Sequence, residues 1–417
     1  MQELENLRRI IGLVANAGDD MSFRELIESD REGFSGLKMA YATKAFDTQI
    51  LEVSLAEVEK RCPLVKSLFD GSGLLFYSDE VYKATLAGKA EIYSDFTISF
   101  DKNIAEEVRR FVAGKQCSKP DELYKLLLLT RGSVKNGFNY DFLSYLVEEY
   151  EQFLQTHNDR PFNTLLALKT LDYLQPDALE NFPGKPNTRV SADVIAQDAY
   201  NTLNSIVFTE DMKYLQLKYK AMYAILLKAM LNKWKDIGSP FDRLIETCKF
   251  SLEIIGKFSK MELYFAWKLL GGDGVKHAFF DPVSTPKKKS LAAMRGIAWD
   301  LSMFRMSETM AGFNRKIEGR RPDFFVPFLA SLDGKFHKML DACPLKAIIV
   351  SPKLQSINCI FRDEMMFQEA INEDTNILRD IVGDSALQRR RMSAGINPEI
   401  IHRSITELEA EVMALTT

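Results

Sequence analysis

Cysteine is scarce in this chain, and its spacing reveals no pairing. Cys62, Cys117, Cys248, Cys343 and Cys359 form no Cys-x-x-Cys pair and have no histidine at ligand spacing, which argues against a structural zinc site or a disulfide framework. Histidine is equally thin. His157, His277, His337 and His402 are scattered, so no Ser/His/Asp or Cys/His arrangement can be argued from their order. An excess of charge of one sign is also missing. Lys and Arg number 54 against 58 Asp and Glu, for a net charge of −4, and this excludes a protein that coats nucleic acid by bulk electrostatics. Any such contact must come from local patches. Long hydrophobic runs are absent too: the most apolar stretch, Ala221 to Leu231, is too short to span a bilayer and carries Lys228. The opening Met-Gln-Glu-Leu-Glu-Asn-Leu-Arg-Arg has no signal-peptide core. A cytoplasmic protein with no membrane partner is expected. Gly271-Gly-Asp-Gly274 has glycines but no following Lys-Ser/Thr, so it reads as a turn, not a phosphate loop.

What is present is an ordinary globular balance, 46% apolar and 27% charged over 417 residues, long enough for more than one domain. Residues 1–90 mix helical periodicity with a turn at Asp70-Gly-Ser-Gly73, and read as a small N-terminal α/β layer. A β-prone run from Tyr93 to Phe100 then feeds a helix from Ile104 to Val112, whose Ile104, Val108, Phe111 and Val112 share one face. Asp121 to Thr156 reads as helical, interrupted at Gly132 to Gly137. Residues 157–258 form an expected helical insertion, with a Pro/Gly loop at Phe182 to Val190. The segment 259–351 returns to β-α-β alternation: a helix from Leu291 to Phe313, a strand from Phe324 to Leu332, a short helix from Gly334 to Leu340 and a β-branched strand, Lys346 to Val350. Strands ending near Phe100, Leu332 and Val350 are expected in one parallel sheet. Residues 352–417 close the chain with helices, Arg362 to Leu378 and Glu399 to Leu415. No internal repeat is visible.

Two apolar runs end in a carboxylate, at Asp101 in Phe-Thr-Ile-Ser-Phe-Asp-Lys-Asn103 and at Asp333 in Ala-Ser-Leu-Asp333. Groups at the carboxyl ends of parallel strands converge on the crevice where ligands bind. Carboxylates gathered there suit Mg²⁺ or Mn²⁺, hard cations that can orient a phosphodiester and activate water. Each residue also has a structural explanation. Asp101 and Asp333 can cap the helices that follow them. Asp300, inside a helix, can pair with Arg295 or Arg305. Glu262 sits in a first helical turn, where the helix dipole favours it.

The stretches Ile98-Ser-Phe-Asp-Lys-Asn103, Ala298-Trp-Asp300 and Ala330-Ser-Leu-Asp333 together resemble the PIN-domain nucleases, in which an Asp-x-Asn follows the first strand and further acids come from later helices and a later strand. The resemblance covers about a third of the chain. It implies an α/β fold, a PIN-like α/β/α core with a parallel sheet and large helical insertions, helix-rich overall. It also implies Mg²⁺- or Mn²⁺-dependent cleavage of RNA, with single-stranded DNA as an alternative substrate. Asp101, Asp300 and Asp333 would be metal ligands and Glu262 the helical acid, with Glu148 or Glu149 as its substitute. Asn103 and Ser331 would support the cluster by hydrogen bonding. Lys287, Lys288, Arg315 and Arg320, from basic runs flanking the Asp300 helix, would contact phosphates; a third run is Arg389-Arg-Arg391. Asp374-Thr-Asn376 copies the family signature more literally, but it follows a helix-like stretch with no strand and reads as a cap. As to role, the resemblance implies a bacterial toxin or phage-defence effector, with a regulatory protein or a second copy as partner. The competing reading is a helical interaction or scaffold protein whose carboxylates cap helices and pair with arginines.

Overall fold

The computed structural model describes residues 2–18, 21–43, 55–71, 73–89, 92, 94–130, 138–155, 157–180, 182–311, 323–372 and 396–416. These form two compact units. Unit 1 is residues 1–212 with 306–362, and unit 2 is residues 213–305 with 363–417. The expected helical insertion, 157–258, is thus divided between them, and Arg315, Arg320, Asp374 and Arg389 to Arg391 lie outside the described residues.

In unit 1 the described elements run α1 (Gln2–Asn16), α2 (Phe23–Glu28), α3 (Arg31–Phe34), β1 (Lys38–Thr43), α4 (Leu55–Arg61), β2 (Val65–Ser67), β3 (Gly73–Tyr77), α5 (Asp79–Leu86), β4 (Ser94–Phe100), α6 (Lys102–Val112), α7 (Pro120–Thr130), β5 (Asn139–Asp141), α8 (Leu143–Glu148), α9 (Tyr150–Phe153), α10 (Arg160–Leu171) and α11 (Ala192–Thr202). The chain then enters unit 2 along α12 (Glu210–Trp234) and continues through α13 (Pro240–Lys249), α14 (Lys260–Leu270) and α15 (Ser290–Met310). It re-enters unit 1 for β6 (Phe324–Ala330), α16 (Gly334–Ala342), β7 (Leu345–Ser351) and β8 (Ser356–Phe361), and ends in unit 2 with α17 (Glu364–Asn372) and α18 (Pro398–Thr416). This is a helix-rich α/β chain. No described helix is long and apolar enough to cross a membrane, and all five cysteines are buried thiols outside any disulfide.

Among the described residues unit 1 holds two four-stranded sheets. One, in the order β3-β1-β7-β8, is antiparallel throughout. The other, in the order β2-β6-β4-β5, has parallel β6, β4 and β5 with β2 antiparallel on its edge. The expectation of one parallel sheet therefore holds for the strands ending at Phe100 and Ala330 and is corrected for the third: β7 lies in the antiparallel sheet. The chain around β2 explains the change. Ser331 N donates to Leu64 O at the end of β6, while Leu345 N donates to Leu68 O and Asp70 N to Leu345 O at the start of β7. The stretch Leu64 to Asp70 thus lies beside both sheets, and β7 is delivered to the second. Its buried, β-branched Ile348 and Ile349 require a covered strand but do not choose a neighbour.

β6 tolerates Pro327 for a positional reason. β2 reaches only as far as Ser67 opposite Phe328, so at Pro327 the strand has β4 on one side and no ladder partner on the other. A residue without an N–H is acceptable there. After β4, Asp101 sits in extended backbone and its side chain accepts from Ile104 N, opening α6. That helix buries Ile104, Ala105, Val108 and Phe111, the three-to-four spacing read from the sequence.

Candidate functional site

The parallel strands end level with one another. Phe100 is opposite Ala330, and Ser99 is opposite Asp141, so the residues that follow, Asp101 and Ser331, emerge side by side at the carboxyl edge. Asp101 N donates to Ala330 O at 3.1 Å, which locks the two strand ends together. Asp101 as a whole is 6% exposed. It accepts from Ile104 N at 2.7 Å and from the Ser331 hydroxyl and Asn103. Burial nevertheless outweighs these bonds and pushes the Asp101 carboxyl up to about 6.

The second acid comes from α8, which packs against β4 and α6. Asp141, at the end of β5, aims that helix: its carboxylate takes Ser99 Oγ at 2.6 Å and Leu143 N at 2.9 Å. Two turns on comes Glu148, near enough to Asp101 to feel its charge, with Glu149 next to it in sequence. Burial pushes Glu148 up to about 7, with the negative charges of Glu149 and Asp101 adding to the effect and Lys102 opposing it. Glu149 is buried. Lys102, next to Asp101 in sequence, reaches Glu148 at 3.5 Å and also pairs with Glu149. The edge thus carries Asp101 together with Glu148 and Glu149, the last two paired with the Lys102 ammonium.

Of the residues singled out in the sequence, Asp101, Asn103 and Ser331 come together, and the acid that joins them is the substitute pair Glu148 and Glu149. Asp333 follows closely, its N–H donating to Ser331 Oγ at 3.1 Å, but its carboxylate caps α16 through Lys335 N at 2.7 Å and Phe336 N at 3.4 Å. Glu262 and Asp300 belong to unit 2. Glu262 is buried and held in a two-pronged pair by Arg305, at 3.1 and 2.5 Å, while Asp300 lies half-buried in α15. Arg295 pairs with Glu409. Lys287 and Lys288 are exposed in the turn before α15, also in unit 2.

Sequence reading passed over Lys102 and Asp141. Lys102 was in view inside Asp-Lys-Asn, and Asp141 precedes the apolar run Phe142 to Val147 as Asp101 precedes its own helix. The donors at this edge are carboxylates, which fit a hard divalent cation. Among the described residues no three His, Cys, Asp or Glu side chains are disposed to hold a metal ion. An ion at this edge would take most of its ligands from water and substrate, as Mg²⁺ commonly does. The chain matches no protein-family model, no curated protein and no solved structure.

Proposed function

We propose that the carboxyl edge of β4, β5 and β6 is a divalent-metal-dependent phosphodiesterase site acting on RNA, in the manner of the PIN-like nucleases that the sequence resembles. The supporting observation is that buried Asp101 and half-buried Glu148, the second of which feels the charge of the first, are both held against ionisation by their surroundings. Like acids brought together out of water are costly unless a cation or proton balances them, so such a pair is suited to binding one. Asp101 and Glu148 would hold Mg²⁺ or Mn²⁺, and the ion would supply an activated water and charge stabilisation for the leaving oxygen. Asn103 and Ser331 orient Asp101 by hydrogen bonding. Lys102 balances Glu148 and Glu149 when no divalent ion is present. Glu262, already satisfied by Arg305, and Asp300 both belong to unit 2 and take no part in the proposed site.

The test is cleavage of a panel of single-stranded and structured RNAs, with single-stranded DNA alongside, by the purified chain in Mn²⁺ and in EDTA. Metal-dependent cleavage is expected, with Asp101→Asn and Glu148→Gln each lowering kcat at least a hundredfold and both variants remaining folded. Asn keeps the cap on α6, because Asn and Asp cap alike. A fully active Asp101→Asn protein refutes the assignment. A scaffold reading has one specific observation in its favour: Asp101 and Asp333 both act as helix caps. Absence of cleavage by the wild type across the panel supports that reading.

A further inference from the structure

We infer that Arg160 is the residue that grips a substrate phosphate beside this acidic edge, an assignment that rests on the phosphodiesterase reading and identifies the ligand as a polyanion. Arg160 opens α10, which packs against α6. Its side chain is 63% exposed, yet it is not loose. Nε donates to Glu106 Oε1 at 3.1 Å. Glu106 is itself fixed, taking Thr164 Oγ1 at 3.3 Å on that oxygen and Arg109 Nε and Nη2 at 3.0 and 2.7 Å on the other.

The guanidinium is therefore held at one corner. Among the described residues, no protein acceptor meets its two Nη groups. A planar fork with its far donors free matches the oxygens of a phosphodiester better than a mobile ammonium would. Its location fits the same ligand. Tyr145 Oη on α8 donates to Pro161 O at 3.0 Å, which ties the start of α10 to the helix that leads to Glu148 and Glu149, and Arg160 feels the charge of Glu149, the acid that Lys102 pairs with. A surface arginine placed only to balance Glu106 would duplicate Arg109, which already makes two bonds to that carboxylate.

The experiment has a binding arm and a turnover arm. In the first, a fluorescein-labelled single-stranded RNA is titrated with the full chain in EDTA over a range of KCl concentrations. Arg160→Ala should weaken binding about tenfold, as loss of one charge-assisted contact does. It should also flatten the slope of log Kd against log salt by about 0.7, one phosphate on a single strand. In the second, steady-state cleavage in Mn²⁺ should show KM raised with kcat within about twofold, because the contact serves binding and not the chemical step. Arg160→Lys should recover the salt slope but only part of the affinity, since it restores the charge without the fork. An RNA-cleaving wild type whose Arg160→Ala variant keeps its KM and salt slope overturns this inference and leaves the site reading standing. A wild type that neither binds nor cleaves RNA removes both.

Discussion

Asp101 shows how one side chain can serve as a cap and carry a cost. Its hydrogen bonds to Ile104 N, Asn103 and Ser331 all favour the ionised form, yet burial lifts it from 3.8 to about 6. The folded chain therefore keeps this proton up to about pH 6, whereas the unfolded chain releases it near pH 4. Between those values the folded state binds more protons, so stability falls as pH rises and then levels off, at a cost of about 3 kcal/mol. Glu148, lifted from 4.5 to about 7, extends the decline toward neutrality. The melting temperature should thus fall between pH 5 and pH 8, and Asp101→Asn should flatten that fall. A divalent ion at the proposed site would compete with the same protons, so Mg²⁺ or Mn²⁺ should raise the wild-type melting temperature more at pH 8 than at pH 5. Thermal melts at the two pH values, with and without metal, measure both effects. An Asp101→Asn protein with the wild-type pH profile would place the buried proton elsewhere.

At the scale of elements, the site depends on β5, a strand of only three residues. Asp95, buried at 2% exposure near the start of β4, accepts from Thr97 Oγ1 at 2.7 Å and from Asn139 Nδ2 at 2.8 Å, and so pins the first residue of β5 to its neighbour. Asp95→Ala strands those donors and should cost about 2 kcal/mol. Because β5 carries Asp141 and Asp141 aims α8, the same change should speed amide exchange at 139–141 and weaken the metal-induced rise in melting temperature. Exchange at these amides matching the wild type would show that β5 is held by its ladder alone. The uneven legibility of the fold has the same origin. β4 with α6 and β6 with α16 were readable because each couples an apolar, β-prone run to a carboxylate cap and a helical face. β5 was not, since Asn-Tyr-Asp has no alternation and is defined only by pairing with Thr97, Ile98 and Ser99. Glu148 and Glu149 read as a solvated face because adjacent carboxylates usually are one, and only the packing of α8 on β4 and α6 encloses them. The strand at Leu345–Ser351 announced its burial but not its sheet.

On the scale of the whole molecule, the chain passes between the two units at 212–213, 305–306 and 362–363, so each unit is closed by segments distant in sequence. In unit 2 much of that closure is ionic. Lys268, 4% exposed on α14, bonds Asp273 at 2.9 Å and also pairs with Asp363, whose other oxygen takes Tyr264 Oη at 2.7 Å. His277 Nε2 lies 2.7 Å from Asp273. Nearby, Lys260 pairs with the buried Glu364 at 2.8 Å. These contacts fasten the start of the C-terminal segment to α14. Removing one partner of a buried pair leaves the other charge uncompensated, so Lys268→Met, which keeps the length of the side chain but not its charge, should destabilise unit 2 by about 3–5 kcal/mol. The proposed metal site lies wholly in unit 1. Lys268→Met should therefore lower the calorimetric transition of unit 2 while leaving the metal-induced shift of the unit 1 transition within error of the wild type, whereas Glu148→Gln should do the reverse. A Lys268→Met protein that loses the metal response outright would show that the units do not fold independently, and the carboxylates of unit 2 would then return as candidates for the ion.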